Sequence, residues 1–165
     1  EKGIKYRHAW NVVRLGGQYY HLDATFDNSL GGDGLVRYDY FNLDDRRIFR
    51  DHEALVYPVP PCADGNHFYY KEAGRSFTRV EDAAKRAAQA IRKKQPLVFH
   101  WRGGPLTREV LGELAAALEA AAGAKGRHAA IRLNWPQAVL EIHFPEAPPA
   151  DTCVAQEANE GEALE

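Results

Sequence analysis

Tyr6 to Asp27 reads YRHAWNVVRLGGQYYHLDATFD, and how this stretch pairs with itself decides the fold. Two runs rich in Val, Tyr, Thr, Trp and Phe flank Gly16-Gly17, a dipeptide that accepts the φ > 0 angles of a tight hairpin turn without steric cost. With Gly16 and Gly17 as a two-residue loop, Leu15 pairs with Gln18 and His8 falls opposite Thr25. Asp23, two residues from Thr25, then points to the same face as His8. Diagonal neighbours of this kind lie about 7–8 Å apart at the backbone, within reach of long side chains. The other face carries Ala9, Val13, Leu15, Tyr20, Leu22, Ala24 and Phe26. That apolar set marks the expected core side and helps fix the register, since a one-residue slip would turn every side chain over. His8 and Asp23 are expected to touch.

The residues around this pair carry a resemblance. His8-Ala9-Trp10-Asn11, Tyr19-Tyr20-His21-Leu22-Asp23 and Thr25-Phe26-Asp27 resemble the His-Asp half of the transglutaminase-like superfamily. The run YDYFNLDDRRIFRDH, Tyr38 to His52, is also similar to bacterial members. The likeness covers about the first third of the chain. It implies a papain-like α+β fold and a Cys-His-Asp triad whose cysteine sits on a helix well before the histidine. Here the only cysteines, Cys62 and Cys153, follow His8. The resemblance thus supplies two triad members and withholds the nucleophile.

The chemistry such a triad needs is simple. A thiol is a poor nucleophile until an imidazole takes its proton and later returns it to the leaving group. A carboxylate on the far ring nitrogen fixes the tautomer and stabilises the imidazolium. His8 is therefore the expected general acid/base and Asp23 its orienter, the competing reading being a His-Asp hydrogen bond on a half-buried sheet. Trp10 shares their face and either walls a substrate cleft or simply packs. Asn11 falls on the opposite face. Asp27 and Asp51-His52 match the superfamily pattern, but turn and helix-end roles explain them adequately. Cys62 lies in a Pro-rich linker rather than at a helix N-terminus, which makes it a poor substitute thiol.

Composition bounds the remaining classes. The chain has 165 residues, 45% hydrophobic and 27% charged, enough to bury one ordinary core or two small ones. Residues 1–145 carry 21 bases and 17 acids, too mild an excess to argue for nucleic acid. The cluster Arg86, Arg92, Lys93 and Lys94 reads as a solvated helix face, with no RNP-type aromatic motif beside it. No apolar run is long enough to span a bilayer and no signal-peptide pattern is present. Two cysteines make no disulfide framework, and the seven histidines have no short paired spacing, so neither a zinc site nor another cofactor is expected. The sequence contains no Met and starts with Glu1, which reads as a chain excised from a longer parent of unknown location.

Along the chain, residues 28–37 form a Gly-rich loop, Tyr38 to Asn42 a short strand, and Leu43-Asp44-Asp45 opens a helical turn through Phe49. Pro58, Pro60 and Pro61 break any regular element. This predicts a transglutaminase-like part over 1–57, a linker over 58–66, a small α+β domain over 67–145 and a disordered acidic tail over 146–165. In the second domain His67 to Lys71 reads as a strand. Thr78 and Glu81 form a capping-box pattern before a helix with stripe Val80, Ala84, Ala87, Ala88 and Ile91. Pro96 to Trp101 is an apolar strand. Thr107 caps a second helix with stripe Val110, Leu111, Leu114, Leu118 and Ala121, stopped at Gly123. Ala129 to Asn134 and Ala138 to Phe144 alternate as strands. The order is β-α-β-α-β-β, and the fold class is α+β.

Two functions remain open. One is the C-terminal part of a transglutaminase-like cysteine enzyme, acting on peptide or isopeptide amides of a protein substrate and inert on its own. The other is a protein-binding or wall-associated module that keeps the fold without the chemistry. Without the cysteine helix, Trp10, Val12 and the nearby aromatics should lack cover, which predicts a homodimer or an element swap through that face.

Overall fold

The computed structural model describes residues 7–32, 34–54 and 58–147, and the fold is α+β. It divides into two compact units, Glu1–Ser76 with Asn134–Gln137, and Phe77–Leu133 with Ala138–Glu165.

The first unit is built on the hairpin. Strands β1 (Asn11–Leu15) and β2 (Gln18–Leu22) pair antiparallel, Leu15 with Gln18 through Asn11 with Leu22. Gly16 and Gly17 turn between them at φ 56° and 88°, the left-handed pair that a two-residue hairpin of this hand requires. The expected register is the observed one. The strand ends sooner than expected. Asp23 caps helix α1 (Ala24–Leu30) by accepting the amides of Thr25 and Phe26, each at 3.0 Å. Thr25 therefore does not pair with His8, because a carboxylate at an N-cap satisfies two otherwise orphaned donors. Strand β3 (Phe41–Leu43) joins the far edge of β2, and a single helical turn α2 (Asp45–Ile48) follows, capped by Asp44.

The sheet is covered on both sides at its centre. Tyr20 is buried on the expected core face, yet His21, its neighbour on the opposite face, is fully buried too. Phe49 packs edge-on to His21 with ring centroids 5.4 Å apart, and Trp10 and Val12 are half-buried. That face is less bare than expected because the segment after α2 lies over it.

His67 to Lys71 is not a strand. Helix α3 (Tyr69–Glu72) forms there instead and stays with the first unit. Phe68 and Tyr70 are both buried. The Arg47 guanidinium sits over the Phe68 ring, 4.8 Å from its centroid, and Tyr70 donates its hydroxyl to Asp39 Oδ1 at 2.9 Å. The Asp39 carboxylate is also gripped by Arg37 (Nε 3.0 Å, Nη2 2.6 Å) and by Asn134 Nδ2 at 2.8 Å. These anchors carry the division of the chain to Ser76, beyond the Pro-rich segment where sequence placed it.

The second unit runs β4 (Ser76–Phe77), α4 (Val80–Arg92), β5 (Leu97–Trp101), α5 (Arg108–Gly123), β6 (Ala130–Asn134) and β7 (Val139–His143), with sheet order β4-β5-β7-β6. From α4 onward this is the expected order, while its first strand is Ser76–Phe77 and not the expected His67–Lys71. Thr107 caps α5 as expected, accepting from the Val110 amide at 3.3 Å. Thr78 does not cap α4. Arg79 holds that position without a side-chain bond, and the buried stripe of α4 is Ala83 and Ala87. One core gathers Ala83, Ala87, Leu97, Phe99, Leu114, Leu118, Leu140 and Ile142. Each of its larger side chains contributes about 1.5–3 kcal/mol. Most of the tail expected over 146–165 lies outside the described residues.

Candidate active site

Four polar side chains converge on one end of the hairpin. His8 precedes β1, Asp23 ends β2 and opens α1, and Asp51-His52 follows α2. The Asp23 amide is held by the Tyr40 carbonyl at 3.0 Å, which fixes where its side chain emerges. Its Oδ1 is used by the helix cap. Its Oδ2 receives Nε2 of His8 and, at 3.0 Å, Nε2 of His52. The expected His8–Asp23 contact is present, through Nε2.

The two histidines differ. His8 keeps about 27% of its side chain exposed, against 1% for Asp23 and 3% for His52. No hydrogen bond ties its Nδ1 among the described residues. His52 is bonded at both nitrogens, with Nδ1 on Asp51 Oδ1 at 2.6 Å. Asp51 is held in turn by the Tyr40 hydroxyl on Oδ2 at 2.5 Å. With a carboxylate at each ring nitrogen, the surroundings favour the protonated, doubly donating ring. Burial opposes that charge, but the hydrogen bonds and charges of Asp51 and Asp23 outweigh it and raise the His52 pKa above its ordinary value. Asp23 follows the same balance in reverse. Burial disfavours its charge, while the Phe26 amide, His8 and His52 together hold the carboxyl below the usual aspartate range.

The aromatic frame completes the geometry. The Phe26 ring lies 4.9 Å from His8 and 4.6 Å from His52, centroid to centroid. Trp10 meets His52 edge-on at 5.1 Å. The Trp10 indole also donates Nε1–H to His21 Nδ1 at 3.0 Å. Because indole nitrogen only donates, His21 Nδ1 is the lone-pair nitrogen, and its Nε2–H points to Asp45 Oδ1 at 2.9 Å. Trp10 thus touches both histidine clusters and is fixed between them.

Cys62 is the one cysteine among the described residues, and it is fully buried. Its amide bonds Asp45 Oδ2 at 3.1 Å and its Sγ lies 3.4 Å from the Pro60 carbonyl. Burial, reinforced by the Asp45 and Asp44 charges, pushes its thiol up to about 11. A thiol so disfavoured from ionising is no nucleophile.

Among the described residues two sets could hold a metal ion, His8–Asp23–His52 and His21–Asp45–Cys62, each with its ligand atoms within 4.8 Å of one another. Trp10 closes the second, since its N–H forces the His21 proton onto the very nitrogen that would coordinate.

Sequence reasoning missed His52, Asp51 and Tyr40. The signal was there in the Tyr38–His52 run, but a helix-end explanation for Asp51-His52 concealed that the chain returns to Asp23. One turn along α1, Asp27 is buried, and its Oδ1 accepts the Tyr40 amide at 2.9 Å. Burial raises its carboxyl to about 7, with Asp39 adding to the shift. An open pocket of about 590 Å³ lies beside it, lined by Leu22, Leu35, Tyr38 and Phe41 among others.

No family model, no curated protein and no solved structure matches the chain.

Proposed function

We propose that the chain carries the histidine and aspartate of a Cys-His-Asp acyl-transfer site of the transglutaminase-like kind, acting on peptide or isopeptide amides. The thiol would come from polypeptide outside residues 1–165. The observation that supports this is the asymmetry of His8. Its Nε2 is anchored on a buried, ionised carboxylate, while Nδ1 on a partly exposed ring is left to face a nucleophile.

In that reaction Nδ1 of His8 takes the thiol proton, and the thiolate attacks the amide carbonyl. The imidazolium then returns the proton to the leaving amine, leaving a thioester for water or a second amine to open. Asp23 holds the tautomer and balances the imidazolium charge. On this reading the chain alone is inert, since Cys62 is buried and held as the thiol.

The test compares the chain with a longer natural polypeptide that adds a cysteine helix before Glu1. Iodoacetamide at mildly acidic pH labels a thiolate paired with imidazolium, and amide turnover is read in parallel. Rapid labelling and turnover are expected only in the longer polypeptide, with His8→Ala lowering turnover about 10²–10⁴-fold. Turnover by the chain alone that Cys62→Ser abolishes would overturn the assignment. A binding module without chemistry is the second reading, favoured by one observation: His52 already satisfies Asp23 Oδ2 alongside His8, so the cluster is complete without a nucleophile. Absence of labelling in both polypeptides would decide for it.

A further inference from the structure

We propose that His8, Asp23 and His52 form a binding site for a divalent transition-metal cation, with zinc as the cation to test. Three features carry this. His8 Nε2 and His52 Nε2 both meet Asp23 Oδ2, and the three residues each bring one ligand atom within 4.8 Å of the others. His52 Nε2 and Asp23 Oδ2 are 3.0 Å apart, and ligands of a tetrahedral zinc ion sit about 3.3 Å from one another. A small outward shift therefore admits the ion. Three protein ligands with a partly exposed histidine among them leave a fourth position for water.

The outer partners of His52 and Asp23 are arranged as in metal sites. A ligating histidine almost always donates from its second nitrogen to a carboxylate, a carbonyl or water, and the partly exposed His8 ring has water within reach. His52 Nδ1 does so to Asp51, and Asp51 is itself fixed by Tyr40. Asp23 is held through Oδ1 by two amides, which leaves Oδ2 as the ligand atom. The His21–Asp45–Cys62 set departs from this pattern, because His21 Nδ1 accepts from Trp10.

Coordination through Nε2 leaves the ring proton of His52 on Nδ1, facing Asp51, and that of His8 on Nδ1, which has no hydrogen-bond partner among the described residues.

The test is titration of the chelator-stripped chain with zinc by calorimetry, and with cobalt by visible absorption. One equivalent is expected to bind, with a cobalt band lacking thiolate charge transfer. His8→Ala and His52→Ala should each weaken zinc about 100-fold or more, and Asp51→Asn about 10–100-fold, while Cys62→Ser changes nothing. Should a histidine variant fail to fold, ¹⁵N spectra of the unaltered chain decide, since zinc must move the His8 and His52 Nε2 signals and leave those of His21 in place. Zinc binding that survives His52→Ala, or that Cys62→Ser abolishes, would overturn the proposal. None of these readouts requires a thiol or turnover, so the site stands or falls apart from the acyl-transfer reading.

Discussion

Trp10 donates its indole N–H to Nδ1 of His21 at 3.0 Å, across the hairpin and into a fully buried ring. That one donor sets the protonation pattern of the chain Trp10–His21–Asp45. Trp10→Phe keeps an aromatic ring and removes the donor. Leaving a buried acceptor without its partner costs about 1–3 kcal/mol, which urea unfolding should show. The sharper readout is ¹⁵N NMR of His21, with a single Nε2–H tautomer in the unaltered chain and a mixture in the variant. An unchanged tautomer would mean that Asp45 alone sets it.

Asp23 serves two masters, and two substitutions separate them. Asp23→Asn retains an oxygen for the Thr25 and Phe26 amides, and Asn caps helices as well as Asp does. It loses the charge that anchors His8 and His52. Asp23→Ala loses both functions and should be less stable than Asp23→Asn by about 1 kcal/mol. Equal unfolding midpoints for the two variants would show that the α1 cap contributes little.

Asp27 makes stability depend on pH. It ionises near 3.9 in an unfolded chain and at about 7 in the fold. Between those values the native state binds more protons, so stability falls as pH rises. The loss is up to about 1.4 kcal/mol per pH unit, a few kcal/mol in all. Asp27→Asn keeps an acceptor for the Tyr40 amide and should flatten the profile, unfolding later than the unaltered chain at pH 8 and alike at pH 4. A smaller slope should survive in that variant. His52 has a raised folded pKa, so its contribution is complete below about 6.5 and is lost as pH rises through the folded value. His52→Gln should remove it.

Asp39 is the charged centre of the first unit, holding Arg37, Tyr70 and Asn134. Removing one partner of a buried ion pair costs about 3–5 kcal/mol. Asp39→Ala should therefore shift urea unfolding strongly, while Tyr70→Phe, which deletes one hydrogen bond, costs about 1–3 kcal/mol. A shift for Asp39→Ala no larger than that for Tyr70→Phe would show that the pair contributes no net stability.

Local rules were readable where they acted alone. Gly16-Gly17 fixed the hairpin register, Thr107 started α5, and alternation placed β6 and β7, each within one residue or so. Failures occurred where two rules competed for one residue. Asp23 could end a strand or cap a helix, and the two free amides after it decided for the cap. Phe68 and Tyr70 alternate like a strand, but partners contributed by Arg47 and Asp39 recruited them to the first unit as a helical turn. His8 and Asp23 were legible because a hairpin brings them together at short range. His52 was not, since 29 residues separate it from Asp23 and nothing local measures that closure.

The Asn134–Gln137 turn belongs to the first unit while the strands it joins belong largely to the second. Asn134 reaches Asp39, and Gln137 Nε2 bonds the Arg47 carbonyl at 3.1 Å. During synthesis the first unit therefore emerges from the ribosome with two of its polar anchors still unmade. At about 5–20 residues per second, several seconds pass before they arrive. The last residues of the first unit are therefore made only after most of the second.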